Sequence, residues 1–296
     1  MAVKETKLDS VDVLFSWLRP SSGNWPGPVG SWIFRGQKDS KWGLRPLVFR
    51  KDIVQDWPQL AFDGTIGQQD FVDKEVAILR RFVEVADSVG IRVPGDCYEF
   101  RVKDHIDEWP PMRYMEILAI AKHHGMPTRL LDFTYSGLIA SFFAAIECFQ
   151  NPKPGDIDGE MAVWAFNLGK YNEMTSSSAR SIQIVTVPTH DNNYLYAQKA
   201  LFIYDRLLNE RWKKPLHLNE IDADLDRVVL NDLQKCEQIS SNDEVLLQKI
   251  VVPKHKCREV IGKLHAEGIH LASVMPSYDN IVKQLRLEDQ VGIKRI

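Results

Sequence analysis

Cysteine is scarce in this chain. The four present, Cys97, Cys148, Cys236 and Cys257, stand far apart and form no Cys-x-x-Cys pair. That argues against a disulfide framework or a cysteine-rich zinc site and suits a reducing compartment. A charge excess is lacking too: 37 basic residues against 40 acidic ones leave a net charge of −3. No bulk electrostatic drive toward nucleic acid or membrane follows. Long apolar runs are missing. The longest, near residues 138–149, is broken by Ser141 and Glu147 and is too short to span a bilayer. The first residues, Met1-Ala2-Val3-Lys4-Glu5-Thr6, are polar and lack the apolar stretch of a signal peptide. There is no internal repeat and no low-complexity tract. These absences together lead us to expect a cytoplasmic protein without a membrane partner.

What is present is an ordinary globular composition, with 44% apolar and 26% charged residues over 296 positions. A packed core is expected, in one large domain or two small ones. Asp9 and Ser10 precede apolar positions at Val11, Val13, Leu14, Trp17 and Leu18, which predicts a capped helix over residues 8–19. A Pro/Gly/Ser-rich turn ends it, and Ser31-Trp32-Ile33-Phe34 reads as a strand delivering Arg35 at its end. Helical periodicity runs over 66–89, 112–124, 136–149, 222–235 and 255–266, with a further short helix over 278–285. Strands are expected over 161–166, 182–187 and 244–252, and loops over 95–111 and 151–159. Helices and strands alternate without a regular βαβ period. The expected class is therefore α+β, a mixed or antiparallel sheet with flanking helices.

Two short segments concentrate the polar chemistry. In Phe34-Arg35-Gly36-Gln37, Arg35 offers a fixed fork of donors suited to phosphate or carboxylate. Gly36 would let a ligand approach the backbone, and Gln37 adds a donor and an acceptor. A surface arginine beside a turn glycine is the competing reading. The second segment, His123-His124-Gly125-Met126-Pro127-Thr128-Arg129-Leu130-Leu131-Asp132-Phe133-Thr134, places two histidines, an arginine, an aspartate and two threonines between apolar helices. Polar groups lodged there must be paired or must face a cavity. Asp132 is expected to hold Arg129 or to reach Arg35 across the site. His123 and His124 are adjacent and point about a quarter-turn apart, which disfavours a shared metal. His105 and His190 are scattered.

Taken together, the two segments, followed by the apolar helix ending Ser-Phe-Phe-Ala, resemble the FRG domain, a family named for its Phe-Arg-Gly motif. Further stretches are similar to that family: Ala197-Gln198-Lys199-Ala200-Leu201-Phe202, Lys249-Ile250-Val251-Val252-Pro253, Gly268-Ile269 and Met275-Pro276. The resemblance runs in order over roughly residues 30–285 and implies a single domain over 1–296 with the N-terminal helix as an appendage. Ala200 stands where the family prefers glycine, Phe133 where tryptophan is commoner and Met275 where phenylalanine is found.

A second, looser similarity is to the ADP-ribosyltransferase arrangement: an arginine on an early strand, a central polar turn and a carboxylate opening a late strand. It implies NAD as substrate, with Arg35 clamping its phosphate or ribose. Thr128 and Thr134 would be wall residues, and Glu244 or Asp132 the catalytic carboxylate stabilising an oxocarbenium-like transition state. His123, His124 and Gly125 would contact ribose or nicotinamide, beside Gly36, Gln37, Arg129 and Gln198. Such enzymes are often toxins or phage-defence effectors held by an inhibitory partner such as an antitoxin, and they modify RNA or protein. A single-stranded nucleic acid could be contacted through Trp32, Trp42 or Trp109. Two other readings compete: a non-catalytic nucleotide- or phospholigand-binding module, and a hydrolase with a histidine base, for which no nucleophile is evident.

Overall fold

A computed structural model describes residues 3–93, 109–150, 158–174, 180–187, 196–235 and 245–293. Cys97, His105, Cys236, His190, Glu244 and most of the loops expected over 95–111 and 151–159 lie outside them.

Seven strands form one mixed sheet in the order β1-β7-β4-β2-β3-β6-β5. They are β1 (Lys4–Lys7), β2 (Trp32–Gln37), β3 (Leu131–Thr134), β4 (Glu160–Asn167), β5 (Ile182–Val185), β6 (Ala200–Asp205) and β7 (Leu247–Pro253). Only β1 and β7 run parallel; every other neighbouring pair is antiparallel. The architecture is α+β, as the sequence indicated.

The strands' alternation sorts their side chains into three cores. Trp32 and Phe34 of β2, Val163 and Ala165 of β4, and Ile250 and Val252 of β7 join one cluster beneath helices Val11–Leu18, Gly137–Gln150 and Cys257–Ala266. Phe202 and Tyr204 of β6 and Val185 of β5 join a second, under helices Gln68–Ser88 and Met115–His123. The opposite face, with Ile33, Trp164, Leu131, Phe133 and Leu201, packs on helix Leu225–Lys235. β3 points Leu131 and Phe133 to that third core, so Asp132 and Thr134 lie on the other face. The register Phe34↔Thr134 and Asp132↔Phe202 places these two polar side chains between the first two cores. A polar seam thus divides one face of the sheet.

Three expectations need correction. The segment after His123 is not only a turn between helices; it contains β3, a central strand. Arg35 sits inside β2 rather than at its end. Helix Val11–Leu18 is no appendage: Val11, Leu14 and Leu18 are almost fully buried in the first core, because burying their apolar stripe needs the sheet beneath. Strand β1, formed by a polar stretch, was not anticipated.

Candidate functional site

The seam carries the charged cluster. β2 and β3 share a single register pair, Phe34↔Thr134, and the Arg35 guanidinium bridges the strands beyond it. Its Nη1 donates to the Asp132 carbonyl at 2.9 Å and pairs with Oδ2 at 2.7 Å. Lys122, in the last turn of helix Met115–His123, reaches Asp132 Oδ1 at 2.7 Å. Gly125, at φ 92°, reverses the chain after that helix, with Gly125 N–H donating to Lys122 and Met126 N–H to Ala121. This cap returns the chain to β3, so Lys122 and Asp132 meet.

Both cations are nearly enclosed, with side chains 11% and 10% exposed, whereas the Asp132 side chain is 46% exposed. Burial works against ionising Asp132. The charges of Arg35 and Lys122 outweigh it and hold the carboxyl well below the usual range. The ion pairs therefore contribute stability above the ordinary carboxylate pKa, and lose it as pH falls below about 4 toward the depressed folded value. Asp132→Asn is expected to lower stability at neutral pH by about 1–3 kcal/mol, solvent screening keeping it below a fully buried pair. Urea melts should show the difference from wild type shrinking in acid; a pH-independent difference would refute the ion-pair role.

Arg50 extends the cluster. Its Nε donates to the Arg45 carbonyl at 2.9 Å, and its guanidinium lies over Trp42 at 5.3 Å. Nη2 is buried with no acceptor among the described residues. Burial and then repulsion from Arg35 lower its pKa to about 10, so it stays cationic at neutral pH. Lys38 lies 5.6 Å from the same Trp42 ring and 3.8 Å from Glu147. Arg50 also lines a cleft of about 430 Å³ with Trp42, Arg45, Phe49, Lys51 and Asn219. Four cations (Lys41, Arg45, Arg50, Lys51) face two carboxylates (Asp52, Asp224) in its lining. A second cleft of about 580 Å³ adjoins it through Lys51 and Asn219.

The remaining candidates separate. A Cβ on Gly36 would stand 1.9 Å from the Ala140 carbonyl oxygen, so what approaches its backbone is helix Gly137–Gln150 and not a ligand. Gln37 is buried and satisfied, accepting from Trp164 Nε1 at 2.9 Å and donating to the Gly43 carbonyl at 3.1 Å. Thr128 is buried and accepts from Leu130 N–H. Thr134 donates to the Gln198 carbonyl at 2.7 Å and accepts from Ser136 N–H, fixing the entry to helix Gly137–Gln150. Arg129 pairs with Glu75, not Asp132. Two other cations already occupy Asp132, and Arg129 faces the second core. His123 is half-buried beside His124; burial and the neighbouring imidazole lower its pKa to about 4, so it is neutral at pH 7. Lys122 and Arg50 escaped the sequence reading, and Trp42 was named only as an aromatic contact for single-stranded nucleic acid. Only a cation in a helix's last turn hinted at the first of them.

The strand Trp32–Gln37, the capped turn and the helix over Gly36 now stand as one unit around Arg35 and Asp132. Residues 30–152 match the FRG domain. No curated protein and no solved structure matches the chain. The FRG segment supplies β2, β3 and every member of the cationic cluster, while β1 and β4 to β7 complete the sheet from outside it. Among the described residues no helix is long and apolar enough to cross a membrane.

Proposed function

We propose that the chain binds a phosphorylated ligand, a nucleotide, in the cleft lined by Trp42, Arg45, Arg50 and Lys51. The observation that carries this reading is Arg50: a partly buried cation, with one guanidinium nitrogen lacking an acceptor, at the inner wall of a positively charged cleft. An anion there gains charge-assisted hydrogen bonds in a partly desolvated setting. Arg35 and Lys122 add positive potential from behind, and Asp132 holds them in place. Trp42, only partly buried, offers aromatic surface for a base or ribose.

ADP-ribosyl transfer from NAD by a toxin-like effector is a narrower version of this reading. It rests on Glu244, because Asp132 is neutralised by two cations and is a weak stabiliser of developing positive charge. One experiment separates the two. Calorimetry with ATP, ADP-ribose and NAD should give saturable binding, weakened roughly 10–100-fold in Arg50→Ala, the loss of one charge-assisted contact of about 1.5–3 kcal/mol. NAD recovered intact fits a binding module. Nicotinamide release with the ADP-ribosyl group bonded to an acceptor in added lysate, both lost in Glu244→Gln, makes the protein a transferase; release with free ADP-ribose makes it an NAD hydrolase. Absence of binding to all three ligands would sink the nucleotide proposal.

A further inference from the structure

Helix Tyr278–Val291 keeps only one side in the core. Gln284, Leu287 and Glu288 are buried, with Gln284 Oε1 accepting from Leu271 N–H at 2.9 Å. The outward side is unexpectedly apolar. Tyr278 is 90% exposed, Ile281 47%, Val282 50% and Leu285 43%. At ~100° per residue these four positions fall on one stripe. Four large apolar side chains in a row on water mark an interaction surface more often than chance.

The charges beside the stripe identify what covers it. Asp279 and Arg286 are seven residues apart, both exposed, and both on the same flank. Neither makes an ion pair with another described residue. When two copies of a helix pack antiparallel about a two-fold axis perpendicular to them, each flank faces its own copy with direction reversed. With that axis crossing between Val282 and Lys283, Asp279 of one copy meets Arg286 of the other, and the reciprocal pair forms by symmetry. The stripe is centred between Ile281 and Val282, one residue or about 1.5 Å from that axis, so the apolar and charged registers nearly coincide.

We propose that the outward face of helix Tyr278–Val291 is a self-association surface, on which a second copy of this chain docks antiparallel through Tyr278, Ile281, Val282 and Leu285 with two reciprocal Asp279–Arg286 pairs. The helix is ~21 Å long, so the contact is small and the dimer is weak, with a dissociation constant on the order of micromolar.

Sedimentation velocity over a concentration series tests this on the full chain. Wild type should shift from the mass of one chain to that of two as concentration rises. Leu285→Glu should abolish the shift. Asp279→Arg and Arg286→Asp should each weaken association about 10-fold or more by setting like charges opposite one another. The double variant Asp279→Arg/Arg286→Asp should restore it, because the reciprocal pairs re-form with exchanged signs. Thermal melts confirm that each variant folds, and the double variant separates a lost contact from a lost helix. A chain that stays monomeric throughout overturns the proposal. So does a dimer that ignores the charge reversals, or one that the double variant fails to restore, since either would place the contact elsewhere or with another register.

Discussion

Replacing Gly36 with alanine is expected to lower stability by about 3 kcal/mol or more, near the upper end of overpacking effects. The reason is steric. Gly36 does not adopt the left-handed conformation, so alanine suits its backbone. The added methyl would lie 1.9 Å from the Ala140 carbonyl oxygen and 2.7 Å from the Ala144 amide nitrogen. Both are backbone atoms of helix Gly137–Gln150, so no rotamer change relieves the clash. The helix must lift off β2, and it carries Ile139, Phe142 and Ala145 of the first core with it. Gly125→Ala is the contrasting control. There the φ is 92° and a methyl meets nothing within 4 Å, so only the left-handed conformation is penalised, by about 1–2 kcal/mol. Urea denaturation of the two variants should rank Gly36→Ala well below Gly125→Ala. A Gly36→Ala midpoint equal to wild type would refute the close helix–strand contact and return Gly36 to the ligand-facing role that its motif suggests.

That reversal shows where sequence reasoning stops. Helix Val11–Leu18 was legible because Ser10 and its apolar spacing are local signals, and β4 was legible as an unbroken apolar run. β3 was not. Leu131-Asp132-Phe133-Thr134 gives two alternations, too few to stand out between a capped turn and a helix. β1 is polar on both sides and becomes a strand only because β7 offers it a parallel edge. The Arg35–Asp132 contact was within reach, since each residue lacked an obvious local partner. Lys122 and Arg50 were not, because a cation in a helix end or turn looks solvated until distant chain covers it; Trp42 was legible as a candidate aromatic contact but not as the ring beneath Arg50. Gln37 was misread for the same reason: its partners Trp164 and Gly43 are set by cross-strand register and a later loop, which no spacing encodes. The carboxylate on which transferase chemistry would turn, Glu244, lies outside the described residues.

Arg129 is the other place where a motif residue belongs to the fold, and its removal is expected to have the largest effect of any charge substitution. Its side chain and that of Glu75 are each 5% exposed. Nε contacts both carboxylate oxygens, at 2.9 and 2.7 Å, and Nη1 donates to Asn209 Oδ1 at 2.6 Å. Asn209 in turn donates to the Trp109 carbonyl at 2.7 Å. One arginine thereby ties helix Gln68–Ser88 to the turn that positions Lys122 and Asp132. Arg129→Ala should cost about 3–5 kcal/mol, the range for stranding one member of a buried pair. The pH dependence identifies the cause. Burial already pushes the Glu75 carboxyl up, with Arg129 opposing; without Arg129 the folded pKa rises further. A raised folded carboxylate pKa penalises the native state increasingly as pH climbs past the unfolded value, so the variant should regain stability when acidified from neutral toward about pH 5. Glu75→Leu/Arg129→Met should recover most of the loss at neutral pH, because it removes both buried charges and keeps the volume. Urea melts of the single and double variants at two pH values carry the test. If Arg129→Ala matches wild-type stability but loses nucleotide binding, Arg129 is a ligand contact after all and the buried brace is wrong.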